Sequence, residues 1–494
     1  MGEMSSFNGD ARRCMFMKVV ETSCSYGFGE PCSPMLNMPP DHLFTILLML
    51  PVESIISLGL TCKKLYSVAT SDSLWEFLCR REWGSASVDS LKTFISGRIN
   101  EQPRLPWAKI YMLIAKLEFL ACYQLLVQDD HSDLPEPRAS HSLNLVSDCL
   151  VLFGGGCAGG RHLDDTWVAQ ISNGNRHTLK WKKVQAGAPS GRFGHSCVVI
   201  GDCLVLFGGI NDRGSRLNDT WIGQVVNDDE TGIKMSWRLL NVGSIIPPAR
   251  GAHAACYIHK KKMVIHGGIG VNGLRLGDTW VLDLSENLLF GSWWELAGPT
   301  PPPCSGHSLT RLGECKVVLF GGRGSGYEVL NDVWILQFSQ GEFKWIQVPY
   351  ELQEVPCGMD LPRVGHSASV IMGERLLIYG GEDANRNRKN DFWLLDASEF
   401  RSEQSITDEI GTVMWKKLTI GGYRPHSRSF HRACPDRSGR YLFLFGGMVD
   451  GMLQPAESSG LAFDGEFFVI DLFSLLPKDN FDDLEPSCKH KNVF

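Results

Sequence analysis

The chain has no C-x-x-C pair, no unbroken apolar run of membrane-spanning length, no surplus of basic residues, and only 10 tyrosines among 494 residues. Each shortage excludes something. The 16 cysteines are scattered singly, whereas zinc ribbons, thioredoxin-like sites and small disulfide scaffolds gather theirs at short, fixed spacings. A reducing setting, cytoplasm and/or nucleus, is therefore expected. The most apolar stretch, LFTILLMLPVESIISLGL (Leu43 to Leu60), is 18 residues long, holds Glu53 and is cut by Pro51. A bilayer takes about 20 apolar residues and proline breaks the helical ladder, so no membrane partner is expected. With 48 Lys and Arg against 55 Asp and Glu, there is no basic field to hold a phosphate backbone. Nucleic acid is not an expected partner.

What the sequence has is a repeat. Six apolar runs end in Gly-Gly, with first glycines Gly154, Gly208, Gly267, Gly321, Gly380 and Gly446, at intervals of 54 to 66 residues. In five units a tryptophan lies 12 residues past the second glycine, within D-x-W: Trp167, Trp221, Trp280, Trp334 and Trp393. Each unit opens on R-x-x-H or a close variant, and the first five end on a strand led by another tryptophan: Trp181, Trp237, Trp293 or Trp294, Trp345 and Trp415. This reads as four short strands per unit. The run before Gly-Gly is apolar at nearly every position, so both its faces need cover, and radial stacking of sheets supplies it.

These repeats resemble the kelch repeat, which implies a six-bladed β-propeller. The sixth unit has no tryptophan-led strand of its own. Cys122 to Val127 is expected to supply it from the other end of the chain, with Tyr123 in the tryptophan's place.

Residues 36–118 read differently. PPDHLFTILLML puts prolines and Asp41 at a helix start, followed by an almost wholly apolar helix, a turn at Pro51 and a second helix expected over Val52 to Ala69. A head of about 50 residues has a marginal core, so its surplus apolar face is expected to meet a partner. The segment resembles an F-box at Met38-Pro39, Asp41, Ile46-Leu47, Leu50-Pro51, Cys62-Lys63-Lys64 and Leu74-Trp75. Met38 and Leu65 stand where the pattern more often has Leu and Trp.

The combined resemblance is to plant F-box and kelch proteins, including the Zeitlupe or Adagio class. It implies an all-β six-bladed kelch β-propeller preceded by a small all-α F-box domain, acting as the non-catalytic substrate-recognition subunit of an SCF-type ubiquitin ligase. The F-box would bind a Skp1-like adaptor, and through it a cullin scaffold, using Met38, Pro39, Asp41, Ile46, Leu47, Leu50, Pro51 and Ile55. The propeller would hold a protein substrate. The expected layout is a leader over 1–35, F-box over 36–84, helical connector over 85–121, propeller over 122–476 and polar tail over 477–494. Some 35 residues before the head are too few for a flavin-binding LOV domain, so photoreception is not expected. The alternative is a propeller scaffold or enzyme without a ligase role.

Other chemistry has weaker support. His141, His195, His253, His307, His366 and His431 recur once per unit; a residue repeated with the blade serves the blade, whereas a metal-ligand set breaks the symmetry. Neither a metal nor a cofactor is expected. GGGCAGG at Gly154 mimics a phosphate loop but follows a propeller strand and opens no helix. Acids after Gly-Gly fit turn chemistry, and no catalytic residue is assigned. Arg138, Arg192, Arg250, Arg363 and Arg428 open the R-x-x-H motif in five units, with Cys304 in the fourth. Gathered at one end of the channel, they are expected either to form a substrate-binding collar or to pair structurally within the ring.

Overall fold

The computed structural model describes residues 37–96, 105–125, 134–171, 179–184, 189–228, 232–339, 341–353, 361–373, 375–397, 412–450 and 461–473. The expected leader and tail lie outside these residues. The chain divides into two compact units, Met1–Lys116 and Leu117–Phe494.

The first unit is helical: α1 Pro40–Leu48, α2 Val52–Gly59, α3 Lys63–Ala69, α4 Asp72–Trp83, α5 Ser85–Ser96 and α6 Trp107–Lys116. Proline occupies the first turn of α1 and the N-cap of α2, where a missing N–H costs nothing. The single helix expected over Val52 to Ala69 is two. Helix α2 closes at Leu60, and the Thr61 hydroxyl donates to the Leu58 carbonyl at 2.6 Å. Cys62 is extended and caps α3. Leu43, Leu47, Ile55, Leu65, Leu74, Trp75 and Leu78 form the core of the unit, and the Trp75 indole donates to the Ala69 carbonyl at 2.7 Å. No described helix is long and apolar enough to cross a membrane.

The second unit is a propeller of six four-stranded antiparallel blades. Blade one runs Ser142–Val146, Cys149–Phe153, Thr166–Gln170 and Trp181–Val184 from the inside outward. Blades two to five repeat this order. The strand before each Gly-Gly is second from the axis and buried along its length, as in Cys149–Phe153 and Arg375–Tyr379.

Blade six takes Arg432–Pro435, Tyr441–Phe445 and Phe467–Asp471 from the C-terminal part of the chain. Phe119–Gln124 adds to Phe467–Asp471 as the fourth strand. The ring therefore closes by pairing the two ends of the unit. The strand begins three residues before the expected Cys122, at the end of the expected connector, and its first residues also pair in parallel with Thr419–Gly422 of blade five. Of the expected strand, residues 126 and 127 lie outside the described residues.

The register corrects one expectation. The fourth-strand tryptophans sit opposite the residue two past the D-x-W tryptophan, as Trp181 does opposite Ala169 and Trp415 opposite Leu395. In blade six the corresponding residue, Ile470, faces Cys122. Tyr123 pairs with Val469, and a shift of one residue turns a side chain to the other face of the sheet. Cys122, fully buried, thus takes the tryptophan's place. In the third blade it is Trp293, 2% exposed, that holds this place rather than Trp294.

The Gly-Gly pairs are needed for two reasons. Their φ angles are 64–72° at the first glycine and 90–107° at the second, a left-handed region costly to other residues. A Cβ on Gly208 would also stand 2.8 Å from the Arg250 carbonyl oxygen of the next blade. Replacing Gly208 by Ala is expected to cost about 2 kcal/mol or more, combining left-handed strain with the clash. The midpoint of guanidinium unfolding checks it; an unchanged midpoint would remove the steric account.

Candidate protein-binding surfaces

The repeat chemistry is turned inward. Arg138, Arg192, Arg250, Arg363 and Arg428 are at most 1% exposed, and each spans its own blade. The Arg138 guanidinium donates to Asp165 Oδ1 at 2.6 Å, to Asp165 Oδ2 at 3.0 Å and to the Gly154 carbonyl at 3.1 Å. Arg192 pairs with Asp219, Arg250 with Asp278, Arg363 with Asp391 and Arg428 with Asp464. These aspartates open the third strand, and in four blades they also accept from the indole of the following tryptophan at 2.7 Å. Burial alone would raise Asp165, Asp278 and Asp391, but the charge and hydrogen bonds of their arginines outweigh it and hold all three below the usual carboxylate range. The expected substrate-binding collar is therefore corrected. The arginines are buried ties between the first, second and third strands, out of reach of a partner.

Blade four lacks the tie and shows what it does elsewhere. With Cys304 in place of arginine, Asp332 instead accepts from Gln347 at 3.3 Å, and the buried Trp334 indole nitrogen has no partner.

The histidines link neighbouring blades. His253 Nε2 lies 2.8 Å from Ser196 Oγ, while His366 and His431 reach Ser308 and Ser367 at 2.9 Å. Each serine belongs to the blade before. The fourth-strand tryptophans make a second link, Trp237, Trp293 and Trp345 donating to Thr166, Thr220 and Thr279 of the preceding blade. Trp415 finds Val333 at that position, and its indole nitrogen is left without a partner.

With the motif residues consumed, the loops between the second and third strands and those entering each R-x-x-H motif form the accessible surface at that end of the ring. The cations exposed there were missed from sequence. Arg216, Arg275 and Arg388 each stand three residues before the aspartate of D-x-W, and that recurrent offset was their available signal. Arg216 and Arg275 are partly exposed, whereas the Arg388 side chain is only 8% exposed and pairs with Glu382 and Asp450. Arg275 lies with its guanidinium carbon 4.5 Å from the centre of the Tyr327 ring on the next blade. Neither Arg275 nor Arg216 has a carboxylate partner among the described residues, whereas Arg323 and Arg388 share Glu382. Val271 and Leu274, on the loop that carries Arg275, are 73% and 65% exposed, and Tyr327 against Arg275 is 69% exposed. His426, Asp464 and Glu466 bring ligand atoms within 4.8 Å of one another. Asp464 is already committed to Arg428 and to the Glu466 amide.

The head exposes a different surface. Of the residues expected to meet an adaptor, Pro39, Asp41 and Pro51 are exposed, and Met38, Ile46 and Leu50 are half-buried. Leu47 and Ile55 are corrected: both are fully buried, because they face the small core shared by the first helices. Met49, 80% exposed, and Phe77, 53% exposed, were missed. The turn carrying Met49 is fixed by Arg81, which donates to the Leu48 and Leu50 carbonyls at 2.6 and 2.9 Å, and Phe77 meets Phe44 edge-on at 5.9 Å.

A head with an F-box surface joined to a kelch propeller defines the class. The F-box-like family model matches residues 35–81, and the KLHDC2/KLHL20/DRC7 Kelch-repeats domain model matches 120–293 and 228–361. The chain is 56% identical over 455 residues to F-box/kelch-repeat protein At1g51550 of Arabidopsis thaliana, covering 90% of this chain and 93% of that protein. It belongs to the F-box/kelch-repeat family. It is also 29% identical to Adagio-like protein 1 of Oryza sativa subsp. japonica, over 79% of this chain and 59% of that one. To Adagio protein 3 of Arabidopsis thaliana it is 27% identical, over 81% and 60%. The chain thus spans about three fifths of the Adagio proteins it matches.

Proposed function

We propose that the protein is the non-catalytic substrate-recognition subunit of an SCF-type ubiquitin ligase. Its head docks on a Skp1-like adaptor, which joins it to a cullin, and the loop end of the propeller holds a protein substrate. The observation that carries this reading is the exposed apolar turn Met49 to Pro51, pinned by Arg81 in the segment that matches the F-box. Apolar residues held in fixed geometry at the surface of a small unit suit a protein interface. The adaptor contacts are Met38, Pro39, Asp41, Ile46, Leu50 and Pro51, with Met49 and Phe77 added. The described cysteines are all free thiols, in keeping with a cytoplasmic or nuclear setting.

The test is capture of a purified Skp1-like adaptor by the full chain. Met49→Asp together with Leu50→Asp is expected to weaken capture by 100-fold or more (about 3 kcal/mol) with the circular dichroism spectrum unchanged. Leu47→Ala is unsuitable for this purpose, since loss of a buried leucine costs about 2–5 kcal/mol of folding stability. Absence of capture by the unaltered chain would favour the scaffold reading.

A further inference from the structure

Blade six builds its arginine tie differently from the other blades that have one. In blade one Phe153, the residue before Gly-Gly, pairs with Thr166, the residue after the tie aspartate Asp165. In blade six Phe445 holds the same place and pairs with Phe467, so the register puts Glu466 where Asp165 stands. Arg428 nevertheless binds Asp464, two residues earlier. The Asp464 amide donates to the Gly447 carbonyl at 2.9 Å, as the Leu163 amide does to that of Gly155 at 2.8 Å. Asp464 therefore occupies a place held by Leu163, Leu217, Leu276, Leu330 and Lys389 in the sister blades. Two carboxylates meet one guanidinium.

Glu466 is the carboxylate left over. Its Oε1 accepts from Gln124 Nε2 of the closing strand at 2.9 Å, its Oε2 is enclosed and unpartnered, and no cation pairs with it among the described residues. An enclosed carboxylate oxygen in that state is costly. Asp464 spends one lone pair of each oxygen, on Arg428 at 2.9 Å and on the Glu466 amide at 2.7 Å, and a carboxylate offers about four. His426 stands beside both acids, and one ligand atom from each of the three lies within 4.8 Å of the others. The His426 carbonyl is pinned by Arg428 Nε at 3.1 Å and the Tyr379 hydroxyl at 3.2 Å, whereas its side chain is exposed and free to turn. Turning the ring closes the three atoms toward the ~3.4 Å spacing of a tetrahedral site with bonds of about 2.1 Å. An unhydrated ion is smaller than a water molecule, so the enclosure of Oε2 does not exclude it, and the exposed His426 gives the way in. We infer that His426, Asp464 and Glu466 form a zinc site with one position left to water. An imidazole among carboxylates suits zinc, whereas calcium and magnesium take oxygen ligands. The ion supplies the counter-charge that Glu466 lacks. It also fastens the segment entering blade six to the strand on which the ring closes.

Equilibrium dialysis of the full chain, stripped with a chelator and kept reduced, against micromolar zinc chloride tests the assignment. Because free thiols also take zinc, the readout is a difference: the native chain should bind one equivalent more than His426→Ala or Glu466→Gln. Its Tm should rise saturably with zinc by about 2 °C or more beyond any rise in the variants. His426 is exposed, so its replacement is expected to leave the fold intact, and Glu466→Gln keeps the shape and the oxygen that accepts from Gln124 should the first variant misfold. Calcium chloride at the same concentration should give neither effect. Equal zinc uptake by the native chain and either folded variant, no uptake by the native chain, or a calcium response matching that to zinc would overturn the proposal.

Discussion

Lowering the pH from 7 to 5.5 is expected to remove several kcal/mol from the stability of the propeller, about 1 kcal/mol for each of seven buried histidines. Burial comes first among the causes that depress His141, His195, His253, His266, His307, His366 and His431, with nearby arginines or other histidines adding to it. His253 and His366 fall to about 3 and His266 to about 4, and the remaining four lie well below their ordinary value. An unfolded histidine takes up its proton near pH 6.5. Between that value and the folded one the unfolded chain binds more protons, so stability is fully present above about 6.5 and is lost as pH falls toward the folded values. Guanidinium titrations at pH 7.0, 6.5, 6.0 and 5.5 should give a steadily falling unfolding free energy, its slope at the acid end corresponding to uptake of about six protons. A free energy independent of pH over this range would mean that the ring histidines are solvated.

The same histidines show how far the sequence could be read. Six recurring Gly-Gly runs sufficed for the blades, and the missing sixth tryptophan strand sufficed to look for closure at the other end of the chain. Both are consequences of spacing, which the sequence displays directly. The pairing register is not on display: Tyr123 is the aromatic residue nearest the expected place, yet the backbone pairs Cys122 there, and one residue decides which face a side chain takes. In the head, apolar periodicity separated the helices from the propeller without saying which leucine faces inward. Leu47 and Met49 are two residues apart, one fully buried and the other 80% exposed, because α1 ends between them and the turn reverses direction. Arginine was misleading for a related reason. A residue type enriched at interfaces serves equally as a buried tie, and only the placement of an aspartate against each arginine decides between the two.

Replacing Arg250 by Ala is expected to cost the propeller about 3–5 kcal/mol, the usual penalty for removing one partner of a buried ion pair. The guanidinium donates to the Pro248 and Gly267 carbonyls at 3.0 and 3.1 Å and to the two oxygens of Asp278 at 2.8 and 2.7 Å. Its loss strands a carboxylate that then keeps only the Trp280 indole as a side-chain donor, along with a buried carbonyl and the space left by the side chain. Blade four shows that a blade can fold without the arginine, but there Asp332 has an alternative donor in Gln347. Blade three lacks one, since the residue opposite Trp280 on the fourth strand is Glu295, a carboxylate with no N–H to donate. Neutralising the stranded acid should therefore recover part of the loss, so Arg250→Ala with Asp278→Asn is expected to be more stable than Arg250→Ala alone. Guanidinium unfolding of the two single variants and the double variant gives the coupling directly. A loss below about 1 kcal/mol for Arg250→Ala, smaller than the penalty for any buried unpaired charge, would show that the arginine is not a tie and would return it to the candidates for partner binding.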